Sequence, residues 1–181
     1  MPESNRFNPL LAVSLRYGLL ASAAGLASVI AFFYMGKHPF WIFPLFDIRI
    51  LVISILLFFC LKELRDYFFG GLLFFWQGMA GSIIFISSMS LIGFAGIYCF
   101  GWYEKMFVSE YVRQGLEQIN ALSDTSAAQI GKPAVEEMKI TLPKTSLFWM
   151  AKRYAIQTLT FGLFICVIIS VVLRKHNQQT K

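Results

Sequence analysis

The chain has 181 residues, of which 57% are hydrophobic, 17% are aromatic and only 14% are charged. Soluble domains carry about 25% charged residues, and a domain of this size buries only about two thirds of its surface, so the composition argues against a soluble protein and predicts that lipid covers much of the chain. The net charge of +6 does not indicate nucleic-acid binding, because the basic residues lie mainly at the ends of apolar runs and in one loop.

The apolar runs predict an all-α integral membrane protein with a single domain over residues 1–181. Crossing a bilayer takes roughly 20 apolar residues, and we predict four spans, over about residues 15–35, 46–61, 72–102 and 154–173. Tyr, Trp, Lys and Arg lie near the ends of these runs, as they do at membrane interfaces. The four transmembrane helices are expected to pack as a bundle.

The first run has an alternative interpretation as a cleavable signal peptide. Its small residues Ala21, Ala23 and Ala24 could imitate a cleavage site. The apolar run continues for about a dozen residues beyond them, which is long for a signal sequence whose whole apolar region spans 7–15 residues. We therefore favour a span that is retained.

A short link over residues 38–46 precedes the second span, which opens with Asp47 and Arg49. These two side chains can pair with each other or with polar headgroups. A functional interpretation makes Asp47 a proton or cation site. Because Asp47 lies close to the predicted interface, we favour the simpler role of a solvated helix cap.

A charged turn and a glycine pair separate the second and third spans. The candidate residues for a cytoplasmic recognition site here are Lys62, Arg65, Asp66, Gly70, Gly71 and Gln77. The favoured interpretation is structural: an Arg65–Asp66 pair fixes the turn, the glycines allow the backbone to bend, and the Gln77 amide near the membrane edge needs a partner.

Residues 104–153 form the one sizeable polar segment, which we predict to be an extracytoplasmic helical loop. Apolar residues from Met106 to Ile119 recur at helical spacing and predict an amphipathic helix. The polar residues 123–126 end this helix or cap the next one, and Thr145 or Ser146 can cap the helix that enters the fourth span.

Four spans place both termini on one side of the membrane. The terminal segments and the turn carry Arg6, Arg16, Lys62, Arg65, Arg174, Lys175 and Lys181. The opposite short link carries only Lys37 and Arg49. The positive-inside rule therefore favours cytoplasmic termini, although the long loop is also basic in places and leaves the opposite orientation open.

Small residues repeat along three of the spans and predict where helix backbones approach closely. They are Gly18, Ser22 and Gly25 in the first span, Gly78, Ser82, Gly93 and Gly96 in the third, and Thr158, Gly162, Cys166 and Ser170 in the fourth. On the first span, Leu19, Ala23, Leu26, Ile30 and Phe33 are expected to face lipid. A groove for lipid or for a partner span is the less favoured alternative.

The sequence contains no recognisable catalytic, metal or cofactor motif. His38 and His176 fall at opposite membrane faces, and Gly70-Gly71 precedes aromatic residues instead of the Lys-Ser/Thr of a phosphate loop. No acidic residue falls in the middle of a predicted span, which argues against a proton-coupled transporter built around a buried carboxylate. We therefore expect no cofactor, no bound metal and no enzymatic activity.

The turn resembles a pattern found in a bacterial membrane family known as domain of unknown function 4199. The matching residues are Lys62-x-x-Arg65-Asp66, Gly70-Gly71 and Phe75-x-Gln77, against K-x-x-R-D and G-G-x-I-S-F-x-Q-A in the family. The likeness extends to a first span that opens near residues 16–20 and to a charged helical loop before the last span. The resemblance implies a four-span protein of the bacterial inner membrane and supplies no activity.

From these features we expect a non-enzymatic accessory or scaffold subunit, in contact with membrane lipids and with another membrane protein or a second copy of itself. The alternative is a small oligomeric transporter or channel. A membrane enzyme is the least favoured of the three.

Overall fold

A computed structural model of the chain describes residues 7–41, 47–122 and 131–173. Each regular element in these ranges is a helix. The long helices are α1 (Phe7–Tyr34), α2 (Ile48–Glu63), α3 (Phe75–Tyr103), α4 (Met106–Asn120), α5 (Lys132–Thr141) and α6 (Leu147–Leu173). Short 3-10 turns at Pro39–Trp41 and Leu142–Lys144 and a π-helical turn at Leu64–Phe68 lie between them. The predicted cap at residues 123–126, His176 and the cations Arg6, Arg174, Lys175 and Lys181 lie outside the described residues.

Among the described residues, three helices are long and apolar enough to cross a membrane: Pro9–Tyr34, Phe75–Tyr103 and Leu147–Leu173. They indicate a multi-pass membrane protein and correspond to the first, third and fourth predicted spans. The second predicted span corresponds to α2, whose 16 residues fall short of the roughly 20 that a crossing takes.

Two helices begin earlier than the hydropathy predicted. Helix α1 begins at Phe7 because Pro9 lies in the first helical turn, where its missing N–H would have no partner in any case. Helix α6 begins at Leu147, where the Ser146 hydroxyl accepts a hydrogen bond from the Trp149 N–H at 3.2 Å. Ser146 is therefore the cap of this helix, one of the two residues predicted for that role from the sequence.

The four long apolar helices pack side by side with alternating directions. Helices α1 and α3 run parallel, since Gly18 meets Ser88 and Leu26 meets Gly96. Helix α6 runs antiparallel to α3, and α2 packs between α1 and α6. The bundle interior is filled by fully buried side chains such as Leu57, Phe85 and Met89.

The small residues of the predicted stripes lie at these helix contacts. A Cβ atom added to Gly93 would overlap the Tyr154 ring, and one added to Gly162 would overlap Ile86. At the other end of α6, Ser82 and Ser170 lie with their hydroxyl oxygens 3.3 Å apart. The absence of large side chains here lets α3 and α6 approach closely.

The expectation that Leu26 and Phe33 face lipid is wrong. Leu26 fills the space above Gly96, and the Phe33 ring packs 5.7 Å from Phe100 and 5.5 Å from Phe107. Leu19, one turn from the small-residue face, is 54% exposed. Leu26 is inward because it packs on α3 at Gly96, and Phe33 is inward because its ring packs against Phe107 of α4 at the end of the bundle.

Candidate functional site

The charged turn after α2 is tied together by its own side chains and by α1. Arg65 Nε donates to Asp66 Oδ1 at 2.7 Å, so the pair expected from the sequence is present. The neighbouring Glu63 carboxylate accepts from Arg16 Nη2 at 2.6 Å and from the Tyr17 hydroxyl at 2.8 Å. The turn is therefore fastened to the first helix by a charge-assisted contact.

The other predicted turn residues also make local contacts. Gly70 and Gly71 have φ angles of +61° and +81°, a region that side chains other than glycine rarely adopt. Gln77 Oε1 accepts from the Phe74 N–H at 3.2 Å and so caps the start of α3. Lys62 is exposed. This geometry fits a structural turn, and nothing in it points to a ligand.

A second polar cluster lies inside the bundle, around Asp47 and Arg49. Asp47 caps α2, with its Oδ1 accepting from the Arg49 N–H at 3.0 Å. The same carboxylate forms an ion pair with the Arg49 guanidinium, in which Nε lies 2.7 Å from Oδ2. The two side chains are only 9% (Arg49) and 14% (Asp47) exposed. A charge buried away from water is costly unless an opposite charge lies close to it, and here Asp47 and Arg49 are each other's partner.

Helix α6 completes the surroundings of Arg49. Its Nη2 donates to Gln157 Oε1 at 3.0 Å, and its Nη1 lies 3.5 Å from the Thr158 hydroxyl. The guanidinium also stacks over the Tyr154 ring at 4.5 Å from the ring centre. One cation thus joins α2 to α6 through ionic, hydrogen-bonding and cation–π contacts.

The depth of this cluster follows from its contacts with α3. Tyr154 packs against Gly93, which lies about 10 residues from the Tyr103 end of α3 and about 18 residues from the Phe75 end, or roughly 15 Å and 27 Å along the helix. Asp47 is a helix cap, as expected, but its side chain is largely buried, at 14% exposed. The short helix α2 begins inside the bundle, so an acid that looked interfacial in the sequence lies among buried side chains.

A small cavity of about 20 Å³ adjoins the pair. Its lining consists of Ser28, Val29, Phe32, Pro39, Phe40, Asp47, Ile48, Arg49 and Tyr154. A single water molecule needs about 10–15 Å³ of such space. Within the part of the chain that the structure describes, the Tyr154 hydroxyl is buried without a hydrogen-bond partner, and Tyr154 is one of the residues that line this cavity.

The link between α1 and α2 is held beneath α4. The Gln114 side chain accepts from the His38 N–H at 2.9 Å and donates to the Gly36 carbonyl oxygen at 3.1 Å. Trp41 Nε1 donates to the Tyr111 carbonyl oxygen at 2.9 Å. The apolar face of the amphipathic helix α4 is therefore used within the molecule.

His38 is buried among aromatic rings in this link. Its Nε2 lies 3.2 Å from the Phe107 carbonyl oxygen, which can only accept, so this nitrogen carries the proton. Burial lowers the pKa of His38 to about 4, because a charged imidazole would lose its hydration. At neutral pH the side chain is an uncharged structural donor.

Comparison of the whole sequence with family models identifies the family of this chain. A family model described as Protein of unknown function (DUF4199) matches residues 16–175. The chain belongs to this family. The finding confirms the resemblance seen at the turn. Neither the curated proteins nor the solved structures contained a match to this chain.

The DUF4199 match covers both clusters, the turn at residues 62–77 and the buried pair at Asp47 and Arg49. The structure does not bring them together, because the turn lies beyond the far end of α2. In residues 7–41, 47–122 and 131–173, no group of three His, Cys, Asp or Glu side chains is placed to hold a metal ion.

Sequence reasoning missed the main role of Arg49 in this DUF4199 chain and did not single out Tyr154 or Gln157. A signal was present, since an acid and an arginine two residues apart open an apolar helix. Their burial could not be read from the sequence, because it depends on the registers of α2 and α6.

Proposed function

We propose that the chain is a four-span protein of the bacterial inner membrane, in which α2 and the link before it form the remaining span and the charged turn lies at the cytoplasmic interface. Helix α2 covers Ile48–Glu63, or roughly 24 Å of helix. Helix α2 presents an apolar outer surface, with Leu51 59% exposed and Phe59 49% exposed. In the described part of the preceding link, the Gly36 carbonyl oxygen and the His38 N–H are hydrogen-bonded by the Gln114 side chain of α4.

In this topology both termini are cytoplasmic and residues 104–153 are extracytoplasmic. The distribution of Lys and Arg supports this orientation. Trp76 and Trp102, at opposite ends of α3, are 78% and 71% exposed, as expected of residues at the two headgroup layers.

The chain acts, in our proposal, as a non-enzymatic accessory or partner-binding subunit. The observation that carries this is the closed interior: the core is filled by side chains without exposure, such as Leu57 and Ile86, and the deeply buried ions Asp47 and Arg49 compensate each other. What the protein offers to other molecules is therefore its outer surface.

Part of that surface is apolar outside the long membrane helices. On α5, Met138 is 48% exposed and Ile140 is 61% exposed. A partner or the membrane surface would cover these side chains. Photo-crosslinking from Ile140, combined with purification in mild detergent, should capture a stoichiometric partner protein. A probe at Leu91, which is 71% exposed in the middle of α3, is the control that should report lipid contact.

Recovery of a monomer that crosslinks to no protein from either position would contradict the accessory role. A second copy of the chain as the crosslinked species would identify self-association.

A small oligomeric transporter or channel is the second candidate, and the buried Asp47–Arg49 pair favours it. Ionisable groups at membrane depth commonly mark ion or proton pathways. Asp47, Arg65 and Gln77 are the residues whose substitution would test transport. Only Asp47 belongs to the buried pair, because Arg65 pairs within the turn and Gln77 caps α3. Flux in liposomes that falls with Asp47→Asn, in protein shown by its unfolding curve to be folded under the assay conditions, and that persists with Gln77→Ala would support it. Flux that stays at the empty-vesicle level for ions and amphiphiles would remove this candidate.

A further inference from the structure

A partly open cavity of about 400 Å³ lies on the outer side of α6, near its start. It is lined by Trp149, Lys152, Arg153, Ile156 and Gln157. The cavity is distinct from the small one beside Asp47, although Gln157 lies between them and holds Arg49 from the other side. Its lining places two cations and an indole next to a helix that is long and apolar enough to cross the membrane.

Arg153 differs from the other arginines of the described chain, whereas Lys152, like the other described lysines, forms no ion pair with a described residue. Arg16, Arg49, Arg65 and Arg113 each pair with a carboxylate. Across the described ranges, Lys152 and Arg153 have no carboxylate within 4.0 Å. The cavity therefore presents two positive charges that are not paired with any carboxylate of the described residues.

Arg153 is held in a fixed position despite having no acidic partner. Its Nη1 donates to the Tyr111 hydroxyl at 2.8 Å, and its guanidinium lies 5.5 Å from the centre of the Trp149 ring and 5.9 Å from that of Phe40. Tyr111 is a neutral phenol, since burial raises its pKa above the usual 10. A guanidinium has five N–H donors, so a planar fork that suits a phosphate remains available.

Below the cations, the outer face of α6 is apolar. Ile156 is 51% exposed, and Leu163 and Val167, which follow it at intervals of seven and four residues, are each 45% exposed. These spacings place the three side chains on one helix face. A ligand with an anionic head and a long apolar tail would satisfy both parts of this surface.

We infer that Lys152 and Arg153, with Trp149, form a headgroup site for an anionic phospholipid whose acyl chain follows Ile156, Leu163 and Val167. The phosphate accepts hydrogen bonds from Arg153 and lies close to the Lys152 ammonium group. Trp149 lies at the headgroup layer, where indole rings are enriched. The site depends on α6 lying in the membrane and is independent of the accessory role.

The test is native mass spectrometry of the full-length protein in detergent, titrated with phosphatidylglycerol and with phosphatidylcholine of identical acyl chains. The wild-type protein should retain phosphatidylglycerol preferentially. Lys152→Ala should weaken that binding by about fivefold, since a surface cation near an anionic headgroup contributes about that factor. Lys152 is exposed, so its loss should not disturb folding.

Lys105→Ala is the matched control, because Lys105 is an exposed cation outside the membrane helices that does not line the cavity. It should leave phosphatidylglycerol binding unchanged. An equal loss in both variants, or equal retention of the two lipids by the wild-type protein, would overturn the proposal. Competition with inorganic phosphate completes the test. If phosphate displaces the lipid at equal concentration, the site recognises a soluble anion and the lipid assignment is wrong.

Discussion

Arg49 and Tyr154 are stacked in the interior of the bundle, with the guanidinium carbon of Arg49 4.5 Å from the centre of the Tyr154 ring. Arg49 belongs to α2 and Tyr154 to α6, so the contact joins the shortest of the four packed helices to one of the three longest. The carboxylate that balances this cation comes from Asp47, at the start of the same short helix. Arg49, balanced by Asp47, thus adds a cation–π contact to the apolar packing of Ile53, Leu57 and Leu61 that attaches α2 to the bundle.

Asp47→Asn should destabilise the folded protein by about 3–5 kcal/mol, because it leaves the buried Arg49 without its counter-charge. Denaturant unfolding of the detergent-solubilised protein measures this directly. Asp66→Asn is the matched control, since Asp66 pairs with Arg65 where its side chain is 37% exposed, and a pair of that kind contributes about 1 kcal/mol or less. Equal effects of the two substitutions would show that the Asp47 pair is not buried in solution.

Adding one methyl group at Gly93 should separate α3 from α6. Gly93→Ala puts a Cβ atom into the Tyr154 ring, and overpacking of this kind costs about 1–3 kcal/mol. Ala95→Leu, two residues along on the exposed side of the same helix, adds a larger group and should change the unfolding midpoint little. A neutral Gly93→Ala variant would contradict the close approach of the two helices.

The buried His38 makes stability depend on pH. Burial lowers its pKa from 6.5 in the unfolded chain to about 4 in the folded protein, so between these values the unfolded state binds more protons. The stabilising contribution is therefore complete above pH 6.5 and is lost as the pH falls towards 4, by about 3 kcal/mol in total.

His38→Gln should flatten that pH dependence, because glutamine keeps an N–H donor for the Phe107 carbonyl oxygen and does not titrate. Thermal unfolding between pH 4 and pH 7 compares the two proteins. Glu110 and Arg153 are the charged groups that act on His38, and both are retained in the variant. A wild-type midpoint that falls no more steeply than that of His38→Gln would rule out this role.

The helical class and the positions of three membrane helices were predictable from the sequence because they depend on composition over long windows. The turn was also readable, since Gly70 and Gly71 precede α3 and Arg65 adjoins Asp66. The depth of Asp47 could not be predicted from the sequence, because it depends on where α2 begins relative to Tyr154. The inward position of Leu26 depends on its packing against Gly96 of α3, and that of Phe33 on its packing against Phe107 of α4; neither tertiary contact has a local signal in the sequence.

A chain with four spans requires that α2 crosses the membrane. Reporter fusions at the two termini, one active only in the cytoplasm and one active only outside it, measure this. Four spans predict that both termini report from the same side, and that this side is the cytoplasm. Termini that report from opposite sides would mean that α2 does not cross and that the four-span topology is wrong.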